Sequence, residues 1–290
     1  MSAWDLLRFS FWPATLCAVT CNVRRKGRGG AIPQAGPDCG GKFSHGPEYA
    51  VEMGMRNLIT ALLFFILPGL AATGQSKLVK VERHDSVTVY YPQFTRIDLV
   101  TGGMPPKTDE AVIFVCAAAF TGQKLAAFSH SNIAGHHVSG GEFFEGYRCG
   151  PNNGIFTWSK KGRWHFYNYS HKNSEGVLRT AAREGGMGFG QSLLFHNGKQ
   201  FKGCFKPWNS NQYRALCEID GKLCIVDCAR NLPFGSFLSA LKKLGVTNAI
   251  YCDMGYGWNY SWYRLDSGRV QELFPTPGKY TTNWIAFYAE

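Results

Sequence analysis

The sequence predicts an α+β domain, and three observations carry the prediction. Short apolar runs of strand length recur from residue 77 to the C-terminus, the turn pairs Asn197-Gly198 and Asp220-Gly221 join two sets of them, and one amphipathic helix stands among them. Composition agrees: of 290 residues 45% are hydrophobic, 14% aromatic and 18% charged, enough apolar surface to build a core.

The elements follow in order. Val79, Val81, Val87 and Val89 alternate with polar residues, the period of strands, and 97–100 continues the pattern. Residues 111–120 are almost continuously apolar, as in a strand covered on both faces. Residues 121–154, rich in Gly, Ser, His and Asn, read as loops with short strands. Residues 155–158 and 163–169 form a hairpin across Lys160-Lys161-Gly162. Residues 191–195 and 199–201 flank His196-Asn197-Gly198, and 214–219 and 222–227 flank Asp220-Gly221. A helix over 234–244 puts Phe237, Leu238, Leu241 and Leu244 on one face, with Ser236 near its start and Gly245 closing it. A buried strand over 246–253 then runs into Asp253-Met254-Gly255-Tyr256-Gly257, and closing strands end at Tyr288. No repeat or linker divides 75–290, which reads as one domain.

Ahead of it, Met55-Arg-Asn, the apolar run 58–67, Pro68 and the small residues Ala71-Ala72-Thr73-Gly74 have the three parts of a secretory signal. The run is about half the roughly 20 residues a spanning helix needs. The expectation is a signal peptide over 53–74, cleavage near Gly74, and a secreted or periplasmic protein that meets membrane only through its export signal. Residues 1–52 lack periodicity and read as a non-native or disordered extension.

Net charge is +11, and +8 from residue 75 onward, where 24 basic residues face 16 acidic ones. Anionic partners suit such a surface, but beyond Lys160-Lys161 and Lys242-Lys243 there is no dense basic run, and no nucleic-acid partner is expected. Seven cysteines follow residue 74, an odd number that leaves at least one free or paired between chains and room for one or two disulfides. Cys116, Cys217, Cys224 and Cys252 sit inside apolar strands, where cysteine acts as a small hydrophobe. Cys224 and Cys228 lack zinc-pair spacing. Nothing in the sequence points to an oligomeric state.

Asp253, at the close of a buried strand before a glycine turn, is the first candidate for chemistry, with Gly255 and Gly257 letting backbone N–H groups approach an anion. From Arg214 to Ser261 the chain resembles the phosphodiester glycosidase family, which includes the enzyme that uncovers mannose 6-phosphate. The residues carrying the likeness are Arg214-Ala-Leu-Cys-Glu-Ile-Asp220-Gly221, Asp227-Cys-Ala-Arg230, the helix entered near Ser236, and Asn248-Ala-Ile-Tyr-Cys-Asp253-Met-Gly-Tyr-Gly257. Upstream, Cys116-Ala-Ala-Ala-Phe120 stands where the family has Asn-Gly-Gly-Phe, and residues 135–146 and 190–198 fall at its glycine turn and a later strand.

The resemblance implies twisted mixed sheets with a few packed helices, and hydrolysis of a sugar 1-phosphodiester, with a carbohydrate or phosphoglycan as substrate. Arg214 and Arg230 are then expected to hold the phosphate by forked hydrogen bonds. Asp253 serves as acid or base, with Asp227 or Glu142 as a second carboxyl. His130, with His136 and His137, offers acid–base or metal-ligating nitrogens. Substrate contacts are expected from Gly255, Gly257, Trp258, Asn259, Ser236, Gln191 and His136. Trp258, Tyr260, Trp262 and Tyr263 form either a sugar platform or strand residues facing the core. No cofactor is expected, although a divalent cation fits the chemistry. Met254 departs from a family glycine, Trp258 from a serine and Ala117 or Ala118 from the asparagine, so a glycan-binding relative without turnover is the second reading.

Overall fold

Alternation of side chains along the strands decides where each sheet can be covered. The computed structural model describes residues 76–122, 128–149, 153–169, 171–202, 210–255, 257–274 and 280–290. The expected signal peptide and Cys204 lie outside them. Residues 74–290 form one compact unit.

The first half supplies β1 (Val79–Arg83), β2 (Thr88–Pro92), β3 (Arg96–Thr101), β4 (Val112–Ala117), β5 (His137–Ser139), β6 (Glu142–Phe144), β7 (Gly154–Trp158) and β8 (Trp164–Tyr167). Helix α1 (His171–Arg183) leads to β9 (Met187–Gln191), β10 (Leu193–His196), β11 (Lys199–Gln200), β12 (Arg214–Ile219) and β13 (Lys222–Asp227). Helix α2 (Phe234–Lys243) is followed by β14 (Asn248–Cys252), β15 (Ser261–Arg264), β16 (Val270–Leu273) and β17 (Asn283–Tyr288).

They make three sheets, ordered β1-β2-β13-β12-β14-β10-β11, β16-β15-β4-β17-β3 and β6-β5-β9-β7-β8. The α+β class stands, rich in strands. Pairing is antiparallel in every ladder between these strands, and the one parallel contact among the described residues is the isolated bridge of Ala134 with Tyr147.

Alternation is clean in the seven-stranded sheet. Leu216, Leu223, Ile225, Ile250 and Cys252 face a core shared with Phe114 and Ile285 of the second sheet, while Ala215, Cys217, Val226 and Tyr251 face Phe237 and Leu241 of α2. Each large apolar side chain so buried contributes about 1.5–3 kcal/mol. β4 has no exposed face, which explains its unbroken apolar run.

Helix α2 lies where the periodicity places it, with Gly245 at φ 73° after its last turn. Its cap is Pro233, and Ser236 is exposed inside the first turn, its N–H donating to the Pro233 carbonyl. Helix α1 was not expected, because its sequence is polar and carries Gly176 at its middle. Only Leu178, Ala181 and a few neighbours pack inward, against Val138 and Ile155, so the apolar stripe is too narrow to read. β9 was hidden by glycine: a Cβ on Gly188 would stand 2.7 Å from the Leu178 side chain, so packing of α1 excludes the residues that mark a strand. Cys116, Cys217, Cys224, Cys228 and Cys252 are buried thiols outside any disulfide.

Candidate functional site

The ends of β14 and β4 meet, and Asp253 sits at the junction. Its N–H donates to the Ala118 carbonyl at 2.8 Å, which ties the first residue past β14 to the first past β4. Its carboxyl accepts from the backbone N–H groups of Thr121 and Met254. Burial nevertheless outweighs those two hydrogen bonds and pushes its pKa to about 7; the residue is 7% exposed. The group therefore divides between acid and carboxylate near neutral pH.

Thr121 is the hub around it. Its hydroxyl donates to the Tyr280 carbonyl at 3.0 Å, lies 3.1 Å from the Thr282 hydroxyl and accepts from Trp258 Nε1 at 3.2 Å. Its carbonyl accepts from the Tyr147 hydroxyl at 3.3 Å. Burial, then Cys149 and the charge of Asp253, hold the Tyr147 phenol above its ordinary range. Trp258 and Tyr280 meet with ring centroids 5.1 Å apart. Gly257 turns the chain at φ 94°, and a Cβ there would lie 2.5 Å from the Tyr280 ring, so glycine is required twice over. Gly255 has room beside Trp258. Past β4 the buried alanines are held by Asn283 of β17, whose Oδ1 accepts from Ala119 N at 2.7 Å and whose Nδ2 donates to Ala119 O at 3.0 Å.

Arg214 opens β12 directly opposite Asp227 and Cys252 and is wholly buried. Its Nη2 lies 3.2 Å from Asp227 Oδ2, 2.8 Å from Ser261 Oγ and 3.3 Å from the Asn259 carbonyl, while Nε and Nη1 have no hydrogen-bond partner. Burial opposes its charge, but Asp227 together with Cys116 and Cys252 offsets that and keeps the guanidinium protonated; burial raises the Asp227 carboxyl against the pull of Arg214. Asp227 is thus engaged by Arg214. Arg230 leaves the same end of the sheet but donates to the Asp85 carbonyl at 3.3 Å, toward β2 and away from β14. The structure therefore does not draw the two arginines together.

The other expected residues are spread more widely. Asn259 is buried, with Nδ2 on Gln212 Oε1 at 3.1 Å and Oδ1 unpartnered. Gln191 is buried at the end of β9, its Oε1 accepting from Ser192 N and its Nε2 unpartnered. Ser236 lines a separate surface cavity of about 880 Å³ with Arg83, His84 and Lys243. Trp262 and Tyr263 are buried strand residues of β15, so the core accounts for them; Trp258 and Tyr260 are part-exposed.

The histidines form a cluster of their own. His130 Nδ1 lies 3.0 Å from His137 Nε2, and His137 Nδ1 lies 3.2 Å from the Gly135 carbonyl. His130 stacks on Phe144 at 3.5 Å between centroids. His136 lies against Phe143, and Glu142 is exposed on β6. The segment that follows His130 is laced to the one that serves Asp253: Thr121 bridges Ile133, Gly122 N donates to Asn132 O at 2.7 Å, and Ala134 N donates to Phe120 O at 2.8 Å. His130 and Asp253 thus rest on one scaffold. Among the described residues no three His, Cys, Asp or Glu side chains converge to hold a metal.

Sequence reasoning missed Thr121, Tyr147, Asn283 and Ser261. Only Thr121 had a signal, as the first hydroxyl past the apolar run of β4; Tyr147 and Asn283 lie far from Asp253 in sequence, and Ser261 meets Arg214, 47 residues away, through packing alone.

No protein-family model matches the sequence, and no curated protein matches it. Among solved structures, the chain is similar to the catalytic domain of zebrafish N-acetylglucosamine-1-phosphodiester alpha-N-acetylglucosaminidase, auto-inhibited by its pro-peptide. The TM-score is 0.50 and the identity 13%, over 73% of this chain and 82% of that one. At that identity the likeness is one of fold: the chain folds as that phosphodiester glycosidase catalytic domain does.

Proposed function

We propose that the protein is a secreted hydrolase of a sugar 1-phosphodiester or related glycosidic linkage. The observation that carries the reading is Asp253: a buried carboxyl poised near pH 7 at the end of a central strand, in a fold shared with a phosphodiester glycosidase. Protonated, Asp253 gives its proton to the departing phosphate oxygen as the bond to the anomeric carbon breaks. Neutral His130 takes a proton from the attacking water. Arg214 lends positive potential beneath the site, anchored by Asp227 and Ser261, and Trp258 offers a ring face to the sugar. The substrate is a carbohydrate or phosphoglycan met outside the cytoplasm after export.

The test is turnover of a panel of sugar 1-phosphodiesters. Asp253→Asn is expected to lose on the order of 10²–10⁴-fold in kcat. In the wild type the rate should fall as pH rises through about 7, since the acid form of Asp253 is then lost, and it should also fall at low pH as His130 takes a proton. An active Asp253→Asn with an unchanged alkaline limb would sink the assignment. Glycan binding by a wild type that turns over none of the panel would favour a binding protein that kept the fold.

A further inference from the structure

Resting on the reading of His130 as base, we propose that His137 is its positioning residue, holding His130 as the neutral Nδ1–H tautomer with the Nε2 lone pair as the open acceptor. The protons on the two rings can be counted from their partners. His137 Nδ1 lies 3.2 Å from the Gly135 carbonyl, which can only accept, so that nitrogen carries the hydrogen. His137 has no exposed surface, and burial pushes its pKa down to about 4, so its ring is neutral and its Nε2 holds a lone pair. That lone pair faces His130 Nδ1 at 3.0 Å. Only His130 can donate across this contact, and a neutral imidazole has one N–H, so its Nε2 is the acceptor.

The rings hold the arrangement. Phe144 stacks on His130 with 2° between planes, and Phe128 meets it edge-on at 5.2 Å. The charges about the pair act in opposite directions: Glu142 favours a proton on His130, while His136 and His130 disfavour one on His137. The chain of donors runs from the interior carbonyl outward and ends at a part-exposed ring. In the reaction proposed above, Nε2 receives the proton of the attacking water as its oxygen bonds to the anomeric carbon and the phosphate leaves with the bonding electrons. The imidazolium keeps its Nδ1–H on His137 throughout.

Nitrogen-15 chemical shifts of the histidine rings, read through long-range coupling at pH 7.5 without substrate, test the tautomer. The expected result is a protonated Nδ1 and bare Nε2 at His130, a shift toward the other tautomer in His137→Leu, and retention in His137→Gln, whose amide oxygen still accepts. A protonated Nε2 at His130 in the wild type overturns the proposal, and decides it even where the leucine variant does not fold. In turnover, His137→Leu should lower kcat about tenfold, the worth of one hydrogen bond to the ring, with KM unchanged, and His137→Gln should recover most of the loss. Wild-type kcat in both variants, with His130→Ala inactive, overturns the positioning role. A wild type that cleaves no diester sinks the function instead, and the tautomer then stands or falls on the nitrogen shifts.

Discussion

Arg214 is a full positive charge with no exposed surface, and among the described residues its close counter-charge is Asp227 at 3.2 Å. Removing one member of such a pair leaves the other buried and uncompensated. Arg214→Met is therefore expected to cost about 3–5 kcal/mol in urea unfolding, and Asp227→Asn a comparable amount. The double replacement Arg214→Met with Asp227→Leu should recover much of the loss, because no orphan charge remains; a double variant as unstable as the sum of the singles would contradict this. Both residues were visible in the sequence as strand-end polar groups in an apolar setting. The two-residue turn Asp220-Gly221 already sets Arg214 opposite Asp227; the closing of Ser261 and the Asn259 carbonyl on the same guanidinium was not legible, since those residues come from outside the hairpin.

At the scale of elements, the turn after β14 is the most constrained segment. Gly257 combines a left-handed φ of 94° with a ring where a Cβ would go, and its carbonyl also receives Tyr280 N at 3.3 Å. Gly257→Ala is expected to destabilise by about 1–3 kcal/mol and to loosen Trp258 from Thr121, read as a change in tryptophan fluorescence. Gly255→Ala, whose Cβ would make only an ordinary contact with the Trp258 ring at 3.9 Å, should leave both nearly unchanged. Equal losses in the two variants would deny the distinction. The glycine pattern alone marks both positions alike; the approach of Tyr280, 23 residues on, separates them. Hairpins and α2 were legible because their signals are local, whereas α1 and β9 were not, since each is stabilised by the other.

For the whole molecule, two buried groups set opposing responses to acid. Asp253, raised from 3.8 to about 7, is protonated in the native state; that contribution is complete below pH 3.8 and is lost as pH rises through about 7, a cost of roughly 3–5 kcal/mol for ionising it. His137, lowered from 6.5 to about 4, stays neutral when folded; its contribution is present above pH 6.5 and fades as pH falls toward 4, by roughly 3 kcal/mol. Between pH 4 and 6.5 the slopes oppose, so wild-type stability should change little there. Asp253→Asn should lose stability on acidification over that range and gain on wild type at pH 8. Parallel urea midpoints for the two proteins from pH 4 to 8 would refute the assignment.

The strand-rich α+β class, the hairpins at Asn197-Gly198 and Asp220-Gly221, helix α2, and Asp253 at the end of a central strand were all readable along the chain, because side-chain period and turn chemistry act over a few residues. What surrounds that acid was settled by contacts between distant segments. Thr121 donates its N–H to that carboxyl while Tyr147, Trp258 and Tyr280 gather on Thr121, Arg230 turns toward Asp85, and His137 meets His130 across a bend. Packing sets such contacts through strand order and register, which depend on the whole core at once and leave no periodic trace in the chain.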